Sequence, residues 1–598
     1  METIGDCYVA VAGLPEPRQD HAVVMARFAR DCMQKMNEIT KKLEVTLGPD
    51  TGDLTVRIGL HSGPVTAGVL RGEKSRFQLF GDTVNTAARL ESTGERKRIQ
   101  ISEETASLIK QAGKENWIKP RKEPVVAKGK GEMKTYWLNP KSRKGSSTAG
   151  TDVANDDDNI SIASENSCHQ SGNEGSPLPT SRTGGPEENA KIQRLIGWNV
   201  DVLLRLLKMI VASRGSDQQV VAPNESVKAL ETQILVSTTT VEAEVPEFVS
   251  FLAFDEDRAV EMASIDPENI MLTADVEGQL RDYVALIASM YGDHPFHNFE
   301  HASHVTMSVS KLLGRIVSPD HVDPAFRSQG PMTLLSSMHE KTYGITSDPL
   351  AQFAVVFSAL IHDVDHRGIP NFILMKENPD LAKKYNHRST AEQNSVDLAW
   401  ERLMGTEFDQ LRHCIYSNTT ELLRFRKLVV NTVMATDIFD KEFATLRKQR
   451  WERCFHNNDA DPCNVDDVNR RATIVMEHLI QASDVAHTMQ HWQIFQKWNS
   501  RLLTEMYRAY KAGRSEKDPS TDWYLGELGF LDNYVIPLAK KLKECGVFGV
   551  SSDEYLNYAL ENRREWANRG QEMVDQLMAR INQNGETVGF ISKVVGDN

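Results

Sequence analysis

Residues 141–190 divide this chain in two. From Lys141 to Asn189 the sequence is almost entirely Ser, Gly, Asn, Asp and Glu, including Asp156-Asp157-Asp158, with hardly any large apolar residue. Such a stretch cannot bury enough apolar surface to offset its ordering entropy, so a disordered linker is expected. Separately folded parts must flank it, which suits a chain of 598 residues, longer than one hydrophobic core usually grows. The two sides differ in texture. Residues 1–140 alternate short β-rich runs, 9–11 and 54–58, with helical ones such as 21–43, an α/β pattern. From 246 to 581 helix follows helix. Between linker and helical domain, residues 191–245 read as an amphipathic helix and a connector. Residues 191–213 carry Leu195, Ile196, Leu203, Leu207 and Ile210 on one stripe, which suits packing on the next domain or pairing with its own copy. Residues 582–598 read as a loose tail. The fold class expected is multidomain: a partial α/β domain, a disordered linker and an all-α domain.

Composition narrows the function. Hydrophobic residues make up 40% and charged residues 25%, as in ordinary globular domains. A formal net charge of -14 leaves no broad basic face, so no nucleic-acid partner is expected. The seven cysteines include no C-x-x-C pair and read as a reducing compartment. Met1 to Asp6 already resembles the inside of a folded domain rather than a signal peptide. The apolar run 202–211 contains Arg205 and Lys208, so no membrane span is expected. A cytoplasmic location follows as the expectation.

Four separated pieces of the helical half carry chemistry. His297-Asn298-Phe299-Glu300-His301 precedes an apolar-periodic run, and two histidines four apart are expected to share one helix face. His362-Asp363-Val364-Asp365-His366 follows the apolar run 353–361. Polar groups ending a buried helix are costly unless partnered, and a metal is the obvious partner. Glu392 lies in Ser389-Thr390-Ala391-Glu392-Gln393-Asn394, with Thr436-Asp437 further on, and Asp484 ends the apolar helix 472–482. A lone histidine beside an apolar face is ordinarily a satisfied core residue. Several such groups at the ends of apolar helices in one domain are not a coincidence of structure. Two imidazoles and two Asp oxygens suit Zn²⁺, while a bridging carboxylate with waters suits Mg²⁺ or Mn²⁺. Such a pair of cations can activate water against a phosphodiester, with a histidine protonating the leaving alkoxide.

At these residues the sequence resembles the class I cyclic nucleotide phosphodiesterases, an all-helical family of the HD-domain type, over roughly residues 246–580. The resemblance implies that His301, His362, Asp363 and Asp484 hold the first metal. It implies that Asp363 also bridges to a second, that His297 is the general acid protonating O3′, and that His366, Glu392 and Thr436 orient metal-bound waters. Zn²⁺ at the first site and Mg²⁺ or Mn²⁺ at the second are the ions it implies. The segment 529–538 is similar to the family's purine pocket, with Phe530 matching the aromatic clamp. Glu527 stands where the family usually has glutamine. A carboxylate only accepts hydrogen bonds, which favours guanine over adenine, so a preference for cGMP over cAMP is expected.

Residues 1–139 resemble a class III nucleotide cyclase. The match rests on Met1 to Tyr8, on Arg57-Ile58-Gly59-Leu60-His61-Ser62-Gly63, on Phe80-Gly81-Asp82-Thr83-Val84-Asn85-Thr86-Ala87-Ala88-Arg89 and on Lys128-Gly129-Lys130-Gly131. The resemblance implies a ferredoxin-like fold, with Asp6 as a metal carboxylate, Asn85 and Arg89 stabilising the transition state, and Lys128 on the triphosphate. It places Glu2 as a guanine reader, although Gln78 stands where guanylyl cyclases usually have Cys. The family's first strand, with its other metal Asp, precedes the first residue of this chain, so cyclisation by this chain alone is not expected. A truncated version of a longer membrane-tethered cyclase fused to its own phosphodiesterase, or a regulatory remnant, would account for it. Hydrolysis of cGMP, cAMP or both to the 5′-monophosphate is the leading expectation. The alternatives are a bifunctional cyclase–phosphodiesterase, with cyclase activity only in a longer or partnered form, and a non-catalytic cyclic nucleotide sensor. A homodimer through the cyclase domain or helix 191–213 is the assembly to consider.

Overall fold

The computed structural model describes residues 2–4, 7–14, 16–47, 55–70, 76–121, 125–127, 131–139, 186–214, 225–316, 331–456, 464–548 and 553–594. The expected linker, 141–190, lies outside the described residues except at its end, where Pro186 already opens a helix. The chain forms two compact units, one holding Met1–Glu44 and Asp50–Gly184, the other Val45–Pro49 and Gly185–Asn598.

In the first unit β1 (Glu2–Ile4) and β2 (Cys7–Val9) pair antiparallel. The run read as a strand over 9–11 therefore sits earlier. α1 (His21–Leu47) follows, then β3 (Ile58–Leu60), the antiparallel pair β4 (Thr66–Leu70) and β5 (Arg76–Phe80), and α2 (Asp82–Ser92). Next come β6 (Ile99–Ser102), α3 (Glu103–Gln111), β7 (Ile118–Pro120), the paired β8 (Val125–Ala127) and β9 (Gly131–Met133), and β10 (Thr135–Leu138). The main sheet has the order β3-β6-β10-β7, parallel between β3 and β6 and antiparallel elsewhere. It shares one core with Ala22, Ala26 and Ala29 of α1 and Ile109 of α3. This is the α/β pattern expected, as a small mixed sheet. Gly59 is a packing requirement. A Cβ there would come within 2.3 Å of the Glu91 amide nitrogen and 2.5 Å of the Ala87 carbonyl, so α2 can lie on β3 only over glycine.

The second unit is helical. Its main helices are α4 (Pro186–Ala212), α5 (Ala274–Ser289), α6 (Phe299–Arg315), α7 (Pro349–Ile361), α8 (Thr390–Leu403), α9 (Thr419–Met434) and α10 (Val465–Asp484). They continue with α11 (Trp492–Lys511), α12 (Trp523–Phe530), α13 (Ile536–Glu544) and α14 (Glu554–Val594). α7 is the hub, packed against α4, α6 and α9. Every residue of it except Gln352 is buried, as a helix apolar on all sides must be. Asp348 starts it by accepting the Ala351 amide at 3.0 Å and is itself ion-paired with Arg424 of α9.

Two boundaries differ from the sequence reading. The stripe of α4 lies in the same core as α7, and fully buried Asn199 donates to Ser303 Oγ of α6 at 2.9 Å. In the connector, Val241 joins the same core and the Glu242 amide donates to Gln393 Oε1 of α8 at 3.1 Å. Residues 191–245 are therefore packed into the same body as 246–581. Their amphipathic stripe, which also suited self-pairing, is covered within the chain. At the other end, α14 continues to Val594, into the stretch set apart as a tail.

Candidate active site

The ends of three helices build the centre of the site. His301 occupies the first turn of α6, whose cap is Asn298: its Oδ1 accepts the His301 amide at 3.0 Å. The two motif histidines are thus not on one helix face. His297 lies in the bend before the cap, because Asn298 satisfies the open amides of the first turn and ends the helix there. α7 delivers His362 at its C-cap and Asp363 just beyond, and α10 delivers Asp484 as its last residue. His301 Nε2 lies 3.1 Å from Asp484 Oδ1 and 3.8 Å from Asp363 Oδ2. His362 Nε2 lies 3.1 Å from Asp363 Oδ2 and 3.4 Å from Asp484 Oδ1.

These donors suit a divalent cation. His362 Nδ1 donates to the Ala359 carbonyl at 2.9 Å, which fixes the tautomer and leaves the Nε2 lone pair facing inward. The donor atoms of His301, His362 and Asp484 lie within 4.8 Å of one another. Burial disfavours charge on His362, yet Asp363 and Asp484 outweigh it and raise its pKa well above the usual histidine value. Burial would likewise raise both aspartates, but His362 for Asp363, and His301 with His362 for Asp484, hold them well below the usual range. The pocket calls for positive charge.

Beside this centre stands a second group. Asp365 takes a left-handed conformation (φ 61°), tolerated best by Asn and Asp after glycine, and folds the chain back so that the His366 ring lies 3.8 Å from that of His297, centroid to centroid. Glu505 of α11 accepts the Phe296 and His297 amides through Oε2 at 2.8 and 3.0 Å, and its Oε1 pairs with His297 Nδ1. Burial opposes charge on His297, but Glu505 prevails and raises its pKa to about 8. Burial and the neighbouring His297 push His366 down to about 3. One ring is charged and the other neutral at neutral pH.

Glu392 on α8 is held by Asn371, whose Nδ2 donates to Glu392 Oε2 at 2.8 Å and whose Oδ1 accepts the Ala391 amide at 2.9 Å. Burial and then Asp437 push Glu392 up to about 8. A nearby cation would reverse that. Thr436 follows α9 and donates to the Val433 carbonyl at 2.8 Å. Glu527 on α12 is 9% exposed, and burial raises it to about 7 despite a hydrogen bond from Asn499. Trp523 Nε1 donates to Asn499 Oδ1 at 3.1 Å, which turns the Asn499 amide nitrogen toward Glu527. α12 passes through a widened turn, Leu531–Val535, into α13, where Pro537 has no N–H for the ladder. There Phe530 stacks on Tyr534 at 5.3 Å, and the Tyr534 hydroxyl feels the Asp484 charge.

Of the cyclase-like residues, Asn85 (exposed) and Arg89 (half-buried) lie one turn apart on α2. Glu2 lies in β1. Asp6 and Lys128 lie outside the described residues. Sequence reading missed Glu505 and Asn371. The signal for Glu505 was an acid seven residues after Trp498 on the buried stripe of α11, a costly placement without a partner. Asn371 had no such signal.

A convergence of imidazoles and carboxylates with a charged, carboxylate-backed histidine alongside is the equipment of a metal-assisted hydrolase. Residues 296–547 match the family model for 3'5'-cyclic nucleotide phosphodiesterase, and residues 1–140 match that for the adenylate and guanylate cyclase catalytic domain. The two matches fall on separate parts of the chain, and each covers less than half of it. Over 139 residues, 23% of this chain, it is 42% identical to guanylate cyclase 32E of Drosophila melanogaster, 41% to guanylyl cyclase C of Homo sapiens and 40% to guanylate cyclase soluble subunit beta-2 of Rattus norvegicus. It spans 11%, 12% and 19% of those proteins' lengths. Among solved structures it is similar to the phosphodiesterase domain of Salpingoeca rosetta rhodopsin phosphodiesterase, at 18% identity and a TM-score of 0.39, over 60% of this chain and 99% of that one. No helix among the described residues is long and apolar enough to cross a membrane.

Proposed function

We propose that this protein hydrolyses 3′,5′-cyclic nucleotides to 5′-monophosphates, using the site built by α6, α7, α10 and α11. The observation that carries the reading is the meeting of His301, His362, Asp363 and Asp484, each Nε2 lying 3.1–3.8 Å from the oxygens of both aspartates, in a region matching the phosphodiesterase family. His301, His362, Asp363 and Asp484 would hold the first cation, taken as Zn²⁺ from its two imidazoles, with Asp363 shared toward a second, Mg²⁺ or Mn²⁺. Bound there, the cations supply a water acidic enough to be the nucleophile and charge to neutralise the phosphoryl oxygens.

The chain's own residues do the rest. Glu505 holds Nδ1 of His297, so Nε2 carries the proton that passes to the O3′ leaving group. His366, neutral beside it, with Glu392 and Thr436, orients water by hydrogen bonding. Phe530 stacks on the base. Glu527, set by Asn499, accepts from guanine when ionised, and when protonated it can donate as well, as adenine requires. The catalytic unit comprises residues 186–594 rather than 246–581, since α4 completes its core.

The test is cGMP and cAMP hydrolysis by the full chain after chelation and after return of Zn²⁺ with Mg²⁺. Asp484→Ala should lower kcat/KM at least 10³-fold. A parent protein that binds cyclic nucleotide without turnover would overturn the reading in favour of a sensor. A second reading, a bifunctional cyclase–phosphodiesterase, rests on the match over residues 1–140. It holds that the cyclase half acts only in a longer or partnered form, so GTP cyclisation with Mn²⁺ on adding a chain that supplies the second metal carboxylate would support it, and none with such a partner would remove it.

A further inference from the structure

His297, His366 and Glu505 share no residue with the donor set of His301, His362 and Asp484. Yet one donor atom from each of the three also lies within 4.8 Å of the others. Two imidazoles and a glutamate are a recognised donor set for zinc. Donors around one zinc at about 2.0–2.2 Å lie about 3–4 Å apart, so the three must close by at most about 1–2 Å. The set is prearranged from three parts of the fold. His297 comes from the bend before α6, His366 from the turn after α7 that left-handed Asp365 makes, and Glu505 from α11. Glu505 is 2% exposed, and its Oε2 is fixed by two backbone amides. Only its Oε1 is left to move between His297 and a cation.

We propose that His297, His366 and Glu505 form an additional cation site, filled by Zn²⁺ above the concentration that saturates the main site, and that filling it silences hydrolysis. A proton and a cation cannot both occupy the donor set that prepares His297, so a filled site removes the leaving-group acid. Mg²⁺, which prefers an octahedron of oxygens, does not compete. Activity should therefore rise and then fall with Zn²⁺ but only rise with Mg²⁺. That arm rests on the hydrolytic reading, whereas binding does not.

The experiment is calorimetric titration of chelated full-length protein with Zn²⁺, comparing wild type with Glu505→Gln. Wild type should bind one ion more per chain, the weakest of its set, and Glu505→Gln should weaken that ion alone at least tenfold. Equal stoichiometry and affinities in the two, both folded by circular dichroism, would overturn the site whatever the activity. If Glu505→Gln does not fold, carbethoxylation of wild-type histidines read by mass spectrometry decides the matter. Saturating Zn²⁺ must protect His297 and His366 beyond the protection at one equivalent, and unchanged labelling of both would be fatal to the proposal.

Discussion

At the scale of single residues, the site is governed by how burial is offset. Three buried groups come out differently: His297 is raised to about 8 by Glu505 against burial, His366 is lowered to about 3 by burial and His297, and Glu527 is raised to about 7 by burial. Replacing Glu505 by Gln removes the charge that keeps His297 protonated. The alkaline limb of kcat/KM reflects loss of that proton, so it should move at least one unit to lower pH, while the maximal rate falls about 10²-fold. Bound cations lower the limb in parent and variant alike, so the comparison stands; coincident pH profiles would exclude the pairing as functional. Glu527 is ionised above about pH 7 and protonated below it. Selectivity for cGMP over cAMP should accordingly rise between pH 6 and pH 8, and Glu527→Gln should flatten that dependence. A selectivity independent of pH in the parent would remove Glu527 as the base reader.

At the scale of elements, helix ends make the chemistry. α6 begins at a cap whose hydrogen bond is to the amide of His301 itself, and α7 and α10 both stop where His362, Asp363 and Asp484 converge on it. The C-terminus of α7 carries the negative end of its dipole beside His362 and Asp363, which favours a cation there. Asn298→Ala removes the cap and should cost about 1 kcal/mol of stability. It should weaken cation binding too, because His301 loses its fixed backbone. Thermal melting with and without Zn²⁺ measures both, and a change in stability without one in the Zn²⁺-induced shift would confine Asn298 to a structural role.

For the whole molecule, the decisive fact is that α4 belongs to the catalytic body. Five of its side chains, Leu195, Ile196, Leu203, Leu207 and Ile210, are at most 4% exposed. At about 2 kcal/mol each their burial contributes up to roughly 10 kcal/mol, an upper bound. A fragment of residues 246–598 should therefore be insoluble or melt far below one of residues 186–598, which should hydrolyse cyclic nucleotide like the full chain. Equal melting temperatures for the two fragments would contradict this packing.

The pieces that carry the donors were legible in the amino-acid sequence, because His301, His362, Asp363 and Asp484 each adjoin an apolar run, and a polar group in that position must have a partner. The α/β and all-α textures were legible for the same reason: burial imposes a period on every element. What only the tertiary structure decided is what depends on meetings between distant segments. Glu505 lies 208 positions from His297, and Asn199 lies 104 from Ser303. No local pattern encodes those meetings, so the pairing of His297 with Glu505 and the place of α4 came from packing. The position of His297 ahead of its helix came from a cap, which competes with helical periodicity and here prevails.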